Sequence, residues 1–244
     1  MKKRVLSSIG IGGATVDTVL PDVEFSPGDT IEATVELTGG DSAQDISGIY
    51  FALKARDEAS DASGDERVLS EFGIDETVTL EPDDERSLPV EFEIPYETPL
   101  TRGTVSVWLE TGVDIAWAVD PTDEDQIEVV PDEATAALFD AMDDLGFDLA
   151  GSKLVDVAFI DDRPFAQKFE FRPTDDFADD LDDLEITVLP RKNGLRVLLE
   201  FDRVDEVAEL HGLDADQQEI SITFEHANAE MVASRIKSEL IDQT

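Results

Sequence analysis

Residues 31 to 37 set the pattern for the first half of the chain. Ile31, Ala33, Val35 and Leu37 alternate with Glu32, Thr34 and Glu36, the period of two that a half-buried strand imposes. Ser26-Pro27-Gly28-Asp29 ahead of this run and Gly39-Gly40-Asp41 behind it are turn signals. Alternation returns at Ile49, Phe51, Leu53 and Ala55. It returns again at Val90, Phe92 and Ile94, interleaved with Glu91 and Glu93 and stopped by Pro95. Val105, Val107 and Leu109, then Ile127 to Val130, complete the series. Short strands separated by regular turns predict a β-sandwich. The polar stretch Asp57 to Asp65 reads as a loop.

The period changes near Pro131. From Asp132 onward, acids occupy a first helical turn, Leu138, Met142 and Leu145 fall at helical spacing, and Gly146 suits the position just past a helix end. This predicts a helix at the boundary between two halves, 1–130 and 131–244. Strands resume from Leu154 to Ile160, and Phe165, Gln167, Phe169 and Phe171 share one face of the next. Ile186 and Val188, then Val197, Leu199 and Phe201, flank Arg191-Lys192-Asn193-Gly194, and Asn-Gly between strands is a strong hairpin signal. Ala229, Ala233, Ile236 and Leu240 are spaced for an amphipathic helix running from about His226 to Ile241.

Charge changes the picture most. The 244 residues carry 59 acids against 18 Lys and Arg, a formal net charge of −41. Such self-repulsion works against a compact state unless it is screened. Disorder does not fit, because hydrophobic residues make up 41% of the chain and recur at strand spacing. A salt-rich cytoplasm does fit: at about 1 M salt the Debye length falls to about 3 Å. The composition of 7 Lys beside 11 Arg, and 34 Asp beside 25 Glu, points the same way. The balance argues against nucleic acid and anionic membranes as partners, since no basic patch exists to neutralise phosphates. Cysteine is absent, so there is no disulfide framework. No run approaches the roughly 18 apolar residues of a membrane span, and the opening is too short and glycine-rich for a signal peptide. A cytoplasmic protein is expected.

Catalytic tools are scarce. His211 and His226 are the two histidines, and no Gly-x-Ser-x-Gly elbow or phosphate-binding glycine loop is present. His211 falls at a turn and His226 at the start of the last helix, which suits surface or capping roles. Two acidic runs could hold a divalent cation, Asp120 to Asp125 and Asp175 to Asp183, with Asp120, Asp123 and Asp125 as the candidate ligands. Neither run has the EF-hand order, and solvated loops explain both more simply. No cofactor is expected.

Several segments, taken in order, resemble the sporulation-control (SpoOM, stage-zero M) family. They are Ser8 to Thr18, Phe25-Ser26-Pro27-Gly28-Asp29-Thr30, Gln44 to Tyr50, Phe92-Glu93-Ile94-Pro95 and Leu109 through Asp114 to Pro121. Ala141-Met142 with Leu145-Gly146-Phe147, and Phe165 to Pro173, continue the likeness into the second half. The resemblance implies a mainly β chain of two arrestin-like β-sandwich units, with one helix near the boundary and another at the C-terminus. It also implies a non-enzymatic adaptor working through protein contacts, which strand edges and an interdomain groove would serve. Trp108, Trp117 and Phe147 are the candidate contact residues, although filling the core is the commoner role for Trp. Lys2, Lys3 and Arg4 form the one basic cluster. The partner is not named by the sequence, and a homodimer is compatible with it. A β-sandwich that binds a carbohydrate or divalent cation is the alternative, and the Asp120–Asp125 turn is its best support.

Overall fold

The computed structural model describes residues 13–59, 66–75, 77–115, 120–160, 163–203 and 218–242. They fall into two compact units, one of residues 1–101 and 106–130 and the other of 102–105 and 131–244. Trp117, His211 and the basic cluster Lys2 to Arg4 lie outside the described residues.

Unit one is a sandwich of two sheets. β1 (Thr15–Val19), β3 (Thr30–Thr38) and β7 (Glu85–Glu93) form a three-stranded sheet in the order β1-β3-β7. The second sheet runs β2-β9-β8-β4-β5, built from β2 (Glu24–Phe25), β4 (Gln44–Asp57), β5 (Arg67–Ile74), β8 (Val105–Ile115) and β9 (Thr122–Val129). A short β6 (Val78–Leu80) pairs with β4. The expected alternation holds: Ile31, Ala33, Val35 and Leu37 are buried, as are Phe51, Leu53 and Ala55 of β4 and Val107 and Leu109 of β8. The sheets are also joined by a buried polar contact, Thr18 Oγ1 to Thr111 Oγ1 at 2.7 Å.

Unit two is also mainly β, and among the described residues it holds one sheet where the sequence led us to expect a sandwich of two. β10 (Phe147–Ile160), β11 (Arg163–Pro173), β12 (Leu181–Arg191), β13 (Gly194–Arg203) and β14 (Gln218–Glu225) make one antiparallel five-stranded meander. The layer against it is helical. α1 (Glu133–Asp144) and α2 (Ala229–Asp242) bury Leu138, Ala141 and Met142, and Val232, Ile236 and Leu240, respectively. Phe139 of α1 meets Phe169 edge-on at 5.1 Å and Phe171 at 6.3 Å. The apolar stripes of the two helices thus do what a second sheet would otherwise do.

The helix ends follow local chemistry. Asp132 accepts the Thr135 N–H at 2.8 Å as N-cap of α1, and Gly146 at φ +76° takes the left-handed position beyond it. At α2 the cap is Asn228, whose side chain accepts the Met231 N–H at 3.0 Å. His226, expected to open that helix, sits before it with φ +58°. The hairpin expected at 191–194 is present, with Lys192 and Asn193 as the loop and Gly194 already paired to Arg191.

Candidate functional site

The sandwich of unit one has an open side. β7 ends its sheet and β5 ends the other, so two strand edges face the same opening with no further strand beyond them among the described residues. Between them lies a groove of about 450 Å³ lined by Ser70, Phe72, Glu91, Phe92, Glu93, Pro95, Tyr96 and Glu97. Phe72 forms its floor, stacked on Phe51 at 4.7 Å within its own sheet and on Phe92 at 5.2 Å across to the other. Tyr96 forms a wall because the Pro27-Gly28-Asp29 turn receives its ring, in contact with Gly28. That turn is fixed by Asp29, whose carboxylate accepts the Ser26 N–H at 2.7 Å. The rim is acidic, with Glu71, Glu91, Glu93 and Glu97 all exposed.

Strand geometry shows which backbone groups face the opening. Ile94 donates its N–H to Asp29 at 2.8 Å and accepts from Gly28 N–H at 2.7 Å, so even-numbered residues at this end of β7 turn their peptide groups inward to the β3 side. Pro89, which has no N–H, sits in the opposite phase, as an edge strand tolerates. Glu91 and Glu93 share that phase and direct their backbone groups away from β3.

The three candidate metal ligands are not brought together. Asp120 is exposed and accepts the Ile115 N–H at 3.1 Å. Asp123 is buried within β9 and accepts the Thr18 N–H at 2.7 Å, fastening β1 across the sandwich. Asp125 lies two residues on, along the same face of β9, half-buried, with its Oδ2 making no hydrogen bond among the described residues. Burial, then the neighbouring Asp123 carboxyl, then Asp17 push Asp125 up to about 7. Burial raises Asp123 as well, against the Thr18 hydrogen bond. Among the described residues no three acidic or histidine side chains are grouped to hold a metal ion. What the sequence offers as an acidic turn is, from Thr122, a strand with a carboxyl pair on one face. The run from Asp175 to Asp180 forms turns that carry the buried Phe177.

Two of the proposed contact residues are core. Trp108 is 5% exposed, because β8 runs between β9 and β4 and the Arg56 guanidinium lies over its ring at 5.2 Å. Phe147 is 3% exposed and packs on Phe177 at 5.4 Å. Neither offers a surface to a partner. The groove is lined instead by the half-buried Phe72 and Tyr96 beside the inward-facing Phe92, and the Phe-Glu-Ile-Pro-Tyr run at 92–96 supplies two of these three rings.

Comparison with known proteins is decisive about kinship. The family model described as SpoOM protein matches residues 2–205. The chain belongs to the SpoOM family. The sporulation-control protein Spo0M of Bacillus subtilis (strain 168) is 34% identical over 206 residues, covering 82% of this chain and 80% of that protein. The crystal structure of Spo0M from Bacillus subtilis aligns with a TM-score of 0.81 at 29% identity, over 96% of this chain and 99% of that one.

The Phe165–Pro173 strand of this SpoOM chain works on both faces of its sheet. Its phenylalanines face the helices, while Lys168 points the other way, to Glu185 at 3.0 Å and Glu200 at 2.8 Å. Lys153 adds a second ammonium to Glu185 at 2.8 Å. Burial works against the Lys168 ammonium, but the hydrogen bonds to Glu200 and Glu185 outweigh it and raise its pKa. This SpoOM chain therefore spends one of its few lysines on holding three adjacent strands together. No described helix is long and apolar enough to cross a membrane.

Proposed function

We propose that this SpoOM protein is a non-enzymatic adaptor that acts through contacts with other proteins. Its two halves, 1–130 and 131–244, serve as separate domains, the first arrestin-like. It works in a salt-rich cytoplasm, without nucleic acid or cofactor. The observation that carries this reading is the open side of unit one, where two strand edges border an aromatic groove. An extended segment of another protein gains main-chain hydrogen bonds by joining such an edge and side-chain specificity from the pocket beside it. Kinship with a sporulation-control protein supports a regulatory rather than a metabolic role.

The test is affinity capture with the full chain in 2 M KCl, followed by reconstitution from purified components. A discrete partner that rebinds at a fixed stoichiometry is the expected outcome. If light scattering and reconstitution give only the monomer at every salt and protein concentration, the adaptor reading fails. A homodimer alone would show that the open edges serve self-association.

A further inference from the structure

Resting on the adaptor reading, we propose that the β7 edge is the docking strand, and that its occupant is an extended segment alternating apolar with basic residues.

The alternation follows from the strand. In β7, Val90 and Phe92 turn inward and Glu91 and Glu93 turn outward. A strand laid beside β7 continues the β1-β3-β7 sheet, so its own side chains alternate between the same two faces. Those on the inner face enter the groove and meet Phe72, Phe92 and Tyr96. Its volume suits one or two large apolar side chains. Those on the outer face stand beside Glu91 and Glu93, at the spacing where opposite charges attract and like charges repel.

The edge is also available in the required sense. Glu91 and Glu93 direct their N–H and C=O groups outward, opposite in phase to Ile94, whose groups are used by Gly28 and Asp29. Pro89 ends this stretch, because it has no N–H to give an incoming strand. The docking register is therefore short, covering Glu91 to Glu93 and the Pro95-Tyr96-Glu97 wall. A negatively charged segment would set its carboxylates against Glu91, Glu93 and Glu97, and no basic side chain lines the groove to relieve them.

The probe is a labelled eight-residue peptide, Lys-Val-Lys-Phe-Lys-Val-Lys-Phe, added to the full chain in KCl from 0.5 to 2 M. Comparison peptides carry Glu in place of Lys, or the same residues in blocks. The alternating basic peptide is expected to bind roughly two- to thirtyfold more tightly than its acidic counterpart, the range for two cross-strand charge pairs. Amide exchange at Glu91 and Glu93 is expected to slow on binding. Glu91→Lys with Glu93→Lys should remove the preference, whereas Glu124→Lys with Glu128→Lys, an equal charge change on β9, should leave it. Glu91→Pro removes only an outward donor and should weaken binding without unfolding the sheet. The proposal is overturned if the block peptide binds as well as the alternating one, if β7 amides gain no protection, or if the β9 pair has the same effect. A native partner that still binds the Glu91/Glu93 double variant would overturn this site and leave the adaptor reading standing.

Discussion

The ring of Tyr96 lies so close over Gly28 that a Cβ at that position would sit 2.7 Å from it, on a backbone with φ +91°. Both halves of this contact belong to short sequence runs, Ser-Pro-Gly-Asp and Phe-Glu-Ile-Pro-Tyr, that are about seventy residues apart. The turn thus does more than reverse the chain. It supplies the bare surface on which one wall of the groove rests. Gly28→Ala should destabilise unit one by about 1–3 kcal/mol, since an L side chain is strained at this φ and also displaces the ring. Thermal unfolding of Gly28→Ala, Tyr96→Ala and the double variant separates the two causes. Partial rescue in the double variant is expected, and full additivity would show that the ring contact plays no part.

Replacing Lys168 by Met should destabilise unit two by about 1–3 kcal/mol, the range for lost hydrogen bonds to charged groups. The substitution keeps the apolar stem but leaves Glu185 and Glu200 facing each other across β12 and β13. The sign of the pH effect also follows. Lys168 is raised, so its contribution is complete below the ordinary lysine range and disappears as pH climbs through the raised value. For Glu185, burial pushes upward, but the hydrogen bonds from Lys153 and Lys168 prevail and lower it. Its contribution is therefore present above the ordinary glutamate value and disappears on acidification below it. Urea midpoints for wild type and Lys168→Met should differ most between these limits, with the difference shrinking at both extremes.

Strands with one wet face were legible. β3 and the end of β7 announce themselves because Glu and Thr mark the wetter side and aliphatic or aromatic residues the core, whereas β8, covered by β9 and β4, is buried on nearly every position. β5 was not legible, since Arg67 to Ile74 is an edge on which both faces are partly wet and Val68 is exposed. The start of β9 reads as a turn in the sequence for the opposite reason: Asp123 is a buried acid at an inward position, which breaks the expected alternation. In unit two the spacing of Phe165, Phe169 and Phe171 identified a strand face but not what covers it. That is Phe139 of α1, a tertiary fact. The groove was hidden likewise, because residues 70–72 and 91–97 come from different sheets and meet only on packing.

Asp125→Asn should stabilise the protein most at pH 8, and by progressively less as the pH falls toward 5. In the folded chain Asp125 titrates near 7, mainly through burial and then through Asp123 and Asp17. An unfolded aspartate releases its proton near 4. Between those values the native state holds more protons than the unfolded one, so stability falls as pH rises from about 4 to about 7. Asparagine removes that penalty while leaving a polar group beside Asp123. The check is the melting temperature of both proteins from pH 5 to pH 8. Parallel curves would show that Asp125 ionises in the native state as freely as in the unfolded chain.

The melting temperature should rise steeply with KCl. A net charge of −41 repels itself over the Debye length, and that length shrinks from about 8 Å at 0.15 M to about 3 Å at 1 M. Neighbouring carboxylates on an outer face, such as Glu91 with Glu93 on β7, are exposed and gain from the screening. Relief of a few kcal/mol corresponds to a rise on the order of 10 °C for a chain of this size. Calorimetry from 0.15 to 3 M KCl measures it. An uncharged osmolyte at matched water activity separates screening from general exclusion effects, and should reproduce only a minor part of the rise. A melting temperature indifferent to salt would mean that the acids are already compensated within the fold, and that their abundance is no adaptation to a salt-rich cell.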